Sequence, residues 1–74
     1  MSTESLVRMA NDIATYFASE PDRETAIEGI AAHVRRFWAP RMRREILAHL
    51  ADGGEGLDEL AREALRRMDV PASA

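Results

Sequence analysis

Pro21, Pro40, the Gly53-Gly54 pair and Pro71 divide the 74-residue chain into four stretches, and each stretch carries one apolar stripe at helical spacing. Proline disfavours helical geometry in the residue before it, and paired glycines stop a helix. Leu6, Met9, Ala10, Ile13 and Phe17 recur at intervals of three and four in the first stretch. Ile27, Ile30, Ala31, Val34 and Trp38 do so in the second, and Met42, Ile46, Leu47 and Leu50 in the third. Leu57, Leu60, Ala61, Ala64, Leu65 and Met68 follow in the fourth. No stretch alternates with the period of a strand. The expectation is an all-α domain, a small bundle of four short helices over about 3–19, 22–38, 40–51 and 57–68. Residues 1–74 then form a single domain whose ends, 1–4 and 70–74, fray.

The boundaries carry their own signals. Ser2 or Thr3 can cap the first helix and Asp22 the second. Pro40 suits the first position of the third. A glycine of the 53–54 pair can supply the left-handed cap that ends it. Gly56 or Asp58 then opens the fourth. Gly29 falls outside its helix's stripe, where it is either a tolerated glycine or a place for another backbone to come close.

The core available to such a bundle is small. Thirteen alanines supply much of the 46% hydrophobic fraction, and alanine favours helix while burying little surface. A domain this size leans readily on a partner for stability. There is no cysteine, so neither a disulfide nor a thiolate ligand can staple it. No run of about 18 apolar residues calls for a membrane, and no basic leader precedes an apolar core. Cytoplasmic residence is the expectation. The net charge of -3 argues against general nucleic-acid binding.

Most chemistry-bearing patterns fail on inspection. Gly53-Gly54-Glu55-Gly56 before a helix has the look of a phosphate loop, but no strand leads into it, and Asp52, Glu55, Asp58 and Glu59 would repel phosphate. It reads as a flexible connection. His33 and His49 are the only imidazoles, 16 residues apart across the corner, and neither has a carboxylate at His-X-X-X-Glu or Glu-X-X-His spacing. The serines lie at ends or boundaries, with no base placed to activate them. The expectation is a chain with no catalytic, cofactor-binding or metal-ligating residue.

One corner survives. No acidic residue occurs between Glu28 and Glu45, and this interval holds Arg35, Arg36, Arg41, Arg43 and Arg44 with Phe37, Trp38 and Pro40. Arg35 and Arg36 suit the negative end of the second helix. Arg41, Arg43 and Arg44 fall in the opening turns of the third, where acids are preferred and each exposed cation costs roughly 0.3–1 kcal/mol. Glu45 or other acids of the chain could compensate them internally. The alternative is carboxylates or phosphate on a partner. Phe37 and Trp38 are adjacent on a helix and cannot both enter one core. With Trp38 on the stripe, Phe37 is either exposed beside the arginines or packed under the first or fourth helix. Arginine with aromatics is the composition of an interface hot spot. The expected partner-binding residues are Arg35, Phe37, Trp38, Arg41, Arg43 and Arg44.

The runs Leu6-Val7-Arg8-Met9-Ala10-Asn11-Asp12-Ile13-Ala14-Thr15-Tyr16-Phe17, Ile30-Ala31-Ala32-His33-Val34-Arg35-Arg36-Phe37-Trp38-Ala39-Pro40-Arg41-Met42-Arg43 and Leu50-Ala51-Asp52-Gly53-Gly54-Glu55-Gly56-Leu57 resemble the delta subunit of soluble NAD-dependent formate dehydrogenases. The Arg-Phe-Trp-X-Pro-Arg-Met-Arg run followed by Gly-Gly-X-Gly-Leu carries most of the resemblance, which extends from about Leu6 to Leu65. It implies a non-catalytic accessory subunit of a cytoplasmic bacterial complex that oxidises formate to CO2 and reduces NAD. The implied partner is the catalytic alpha subunit and, through it, the remaining subunits. The implied cofactors all lie outside this chain: a molybdenum (or tungsten) bis-pterin guanine dinucleotide, iron–sulfur clusters, FMN and NAD. A transient factor for molybdenum cofactor insertion is a second reading, and a small nucleic-acid-binding regulator a third. An exposed aromatic would also give the isolated chain a surface for self-association.

Overall fold

The computed structural model describes residues 2–69. It is a bundle of four helices, α1 (Thr3–Phe17), α2 (Arg23–Phe37), α3 (Pro40–Ala51) and α4 (Glu59–Asp69), with no strand among the described residues. The expected fraying of 70–74 lies outside the described residues. At the other end, α1 begins at Thr3 with Ser2 as its cap. Ser2 Oγ accepts from the Ser5 amide at 3.1 Å, and Glu4 sits at the positive end of the helix.

The remaining ends follow the local chemistry. Asp22 caps α2 by accepting from the Thr25 amide at 3.1 Å and its hydroxyl at 2.7 Å. These bonds, the hydroxyl's first, hold its carboxyl below the usual range. α2 ends one residue earlier than the stripe suggests, because Trp38 and Ala39 both go extended ahead of Pro40. Pro40 opens α3. α3 ends on Gly53 and Gly54, where the Gly54 amide donates back to the His49 carbonyl at 2.8 Å. Gly54 has φ +64°, a backbone conformation that calls for glycine. α4 starts at Glu59, two residues later than the stripe suggests. Leu57 enters the core from the loop before it.

α1 and α4 each pack on the other three helices; α2 packs on α1 and most extensively on α4, and α3 closes the bundle against α1 and α4. Ile27, Ile30, Ala31, Val34 and Trp38 of the α2 stripe are all buried. They meet Leu6, Ala10 and Ala14 of α1, Ile46 of α3, and Leu57, Ala61, Ala64 and Leu65 from the fourth segment. Met9, Ile13, Phe17, Met42, Leu47, Leu50, Leu60 and Met68 are partly buried around this centre. The largest fully buried side chains are only Leu6, Ile27, Ile30, Ile46, Leu65 and Val34. At roughly 1.5–3 kcal/mol each, so short a set leaves little stability in reserve once chain entropy is counted.

Two tethers outside the core reinforce it. Arg67 of α4 bonds Glu24 and Glu28 of α2 and is flanked by Glu63, while Arg23 pairs with Glu59. The Arg67 bond holds the Glu24 carboxyl below its usual range, and the Arg67 guanidinium is pushed up in turn. The 53–58 loop is not the flexible connection its glycines suggest. Asn11 of α1 donates to the Gly56 carbonyl and accepts from the Asp58 amide, both at 2.8 Å. Arg62 donates to the carbonyls of Gly53 and Gly54 at 2.8 and 3.1 Å. His49 Nε2 lies 2.8 Å from the Glu55 carbonyl. A carbonyl only accepts, so the proton sits on Nε2.

Candidate docking surface

The α2–α3 corner is where the fold leaves charge uncompensated. Arg35 and Arg36 lie in the last turn of α2. Arg41, Arg43 and Arg44 lie in the first turns of α3, which has no acidic residue in its first turn and no side-chain cap. Among the described residues every ion pair belongs to Arg23, Arg66 or Arg67, so none of the five corner arginines has a carboxylate within pairing distance. Glu45, the nearest acid in sequence, turns the other way: its Oε2 accepts from the Thr3 hydroxyl at 2.6 Å.

Arg43 has a use within the chain. Its guanidinium donates to the Arg35 carbonyl at 2.6 Å, satisfying one of the acceptors that every helix leaves open at its C-terminal end. It is half-buried, whereas Arg35, Arg36, Arg41 and Arg44 are exposed. Those four are the charges left to face outward.

The two adjacent aromatics divide as helical geometry requires. Trp38 is 5% exposed and closes the core at the corner, while Phe37 is 66% exposed. Phe37 therefore does not pack under the first or fourth helix. One side of its ring lies against His33, with centroids 4.8 Å apart, and the Arg36 guanidinium sits 5.6 Å from its centroid. An exposed aromatic beside a cation is suited to a partner that brings apolar surface and negative charge together. Of the residues expected at an interface, Arg35, Phe37, Arg41 and Arg44 are exposed, Arg43 braces the corner through its bond to the Arg35 carbonyl, and Trp38 is buried in the core.

The sequence pattern did not disclose the groove beside this corner. Asp12, Ile13, Tyr16 and Phe17 of α1 and His33 of α2 line a mostly apolar depression, with Tyr16 76% exposed. Tyr16 stands edge-on to Phe17 at 5.1 Å. Gly29 explains where Phe17 goes: a Cβ at position 29 would lie 2.5 Å from the Phe17 ring. The glycine makes room for a ring of its own chain, not for another backbone. The signal for this was the offset of Gly29 from the stripe together with Phe17 at the end of α1.

No group of three or more His, Cys, Asp or Glu that could hold a metal ion occurs among the described residues. No described helix is long and apolar enough to cross a membrane. What the fold and the surface define is a small all-α protein with a basic, aromatic corner. The family model of the NADH-dependent formate dehydrogenase delta subunit FdsD matches residues 5–65, and the chain belongs to that family. The matched span runs from the first turn of α1 to Leu65 in α4 and includes the whole corner. No curated protein and no solved structure matched the chain.

Proposed function

We propose that this delta subunit is a non-catalytic accessory subunit that docks on the catalytic alpha subunit of a cytoplasmic formate dehydrogenase complex. In this reading it supports assembly or stability of that molybdenum-containing subunit, and the cofactors of formate oxidation and NAD reduction stay on the other subunits. Arg35, Phe37, Arg41 and Arg44 make the contact, with Arg43 and Trp38 holding the corner in shape. The observation that carries the reading is the set of exposed arginines at the α2–α3 corner that no carboxylate of the described residues meets, two of them on an uncapped helix N-terminus.

Such a placement costs the free chain roughly 0.3–1 kcal/mol per charge, and carboxylates on a partner would recover it. A small core with little reserve stability fits a protein completed by its partner. The test is co-expression with the catalytic subunit. The chain should co-purify in equimolar amount, and Arg41→Glu with Arg44→Glu should abolish co-purification while the far-ultraviolet circular dichroism stays helical. A chain present only during maturation would point instead to the transient factor for molybdenum cofactor insertion.

A further inference from the structure

The geometry points to a second element of the docking surface: the α1–α2 groove seats an amphipathic helix of the partner protein, apolar along the groove and acidic where it reaches the Arg corner. This rests on the docking reading above and names the chemistry of the partner segment. Ile13, Tyr16, Phe17 and His33 line the groove, and Phe37 adjoins it through the His33–Phe37 contact. Among the described residues, Tyr16 and Phe37 are the two large hydrophobic side chains left exposed. They stand on the two helices that bound this groove, Tyr16 in its lining and Phe37 against His33.

Three observations choose the occupant. The described residues have no strand, so there is no sheet edge for an extended segment to join. The hollow between two packed helices receives the side-chain ridge of a third, with apolar residues spaced three and four apart. The charges then set direction and kind. Among the described residues Asp12 is the only carboxylate lining the groove, while the Arg36 guanidinium sits against Phe37, and Arg35, Arg41 and Arg44 are exposed at the end of α2 and the start of α3. A second copy of this chain seated across Phe37 would bring two sets of uncompensated arginines together. A partner helix ending in carboxylates compensates them. Hydrophobic contact thus supplies a salt-insensitive part of the binding, and the corner a part that salt screens.

The experiment uses the full chain co-expressed with the catalytic subunit and compares Tyr16→Ser with Phe37→Ser against Arg41→Glu with Arg44→Glu. Tyr16 and Phe37 are exposed, so the first pair should keep wild-type helicity and urea midpoint, and it should lose at least tenfold in affinity. That loss should persist at 0.5 M salt, a concentration at which exposed charges are screened within about 5 Å. Wild-type binding by the groove variant with loss in the arginine variant overturns the groove and leaves the docking corner standing. Loss in the groove variant with wild-type binding by the arginine variant keeps the groove and removes the corner. Wild-type binding by both overturns both. A homodimer of the isolated chain that the groove variant dissociates, with no effect on subunit binding, assigns the groove to a second copy and overturns the proposal.

Discussion

Replacing Gly29 by alanine sets two well-known effects against each other, and the structure decides the sign. Gly29 lies inside α2, where alanine is better than glycine by about 0.8–1 kcal/mol in helix propensity. Propensity alone therefore predicts a more stable protein. But a Cβ at this position meets three atoms of the Phe17 ring at 2.5, 2.8 and 3.1 Å. The nearest must retreat by about 1 Å to reach ordinary carbon–carbon contact. Phe17 packs against the core cluster and stands edge-on to Tyr16, so the ring cannot withdraw without giving up burial. Overpacking of this kind costs about 1–3 kcal/mol. Phe17 is half-buried and can tilt partly toward solvent, so the lower half of that range applies. The net expectation for Gly29→Ala is that the propensity gain is cancelled or outweighed, a destabilisation of about 0–1 kcal/mol and a fall in Tm of up to several degrees for a domain this size. Urea unfolding followed by circular dichroism at 222 nm measures it. A gain of about 1 kcal/mol would refute the reasoning, because it would mean that Phe17 yields at no cost and the groove lining is loose.

Two further outcomes follow from the tethers. Asn11→Ala removes both side-chain bonds that hold the 53–58 loop to α1. It should cost about 1–3 kcal/mol and speed amide exchange at Asp58, with unchanged exchange there counting against the tether. On acidification, the depressed carboxyl groups of Asp22 and Glu24 set the direction. A group whose pKa is lowered by folding contributes stability above its unfolded value and loses it as pH falls through the folded one. The ordinary values are 3.8 for Asp22 and 4.5 for Glu24. The urea midpoint should therefore hold from pH 7 to about 5 and fall below about 4.5, with a shallower fall in Glu24→Gln. An unchanged midpoint at pH 3 would contradict the assignment.

The helices were legible because their breakers and stripes agree. Every stripe residue of α2 is buried, and Asp22 and Pro40 open their helices as their chemistry requires. The helix ends shifted by one or two residues where sequence leaves a choice. Trp38 could have closed a last turn, but extended geometry ahead of Pro40 prevailed. Leu57 fits a helical stripe equally well from a loop held by Asn11, and nothing local distinguishes the two. The basic corner was visible as an interval without acids. That Glu45 would turn to Thr3, and Arg43 to the Arg35 carbonyl, depends on how α3 lies against α1 and α2. Those are contacts between segments 8 and 42 residues apart, beyond what periodicity can report. The fixed 53–58 loop was hidden for the same reason, since its supports, Asn11 and Arg62, come from two different helices.

The central claim is that the α2–α3 corner meets a carboxylate-bearing surface of the catalytic subunit. The most direct measurement is the equilibrium affinity of the purified chain for that subunit, compared with Arg41→Glu/Arg44→Glu, across a salt series. The account predicts that wild-type affinity falls as salt rises, that the charge reversal binds at least tenfold more weakly at low salt, and that the two converge at high salt, where the charges are screened. Equal affinities at low salt, with both proteins folded, would contradict it.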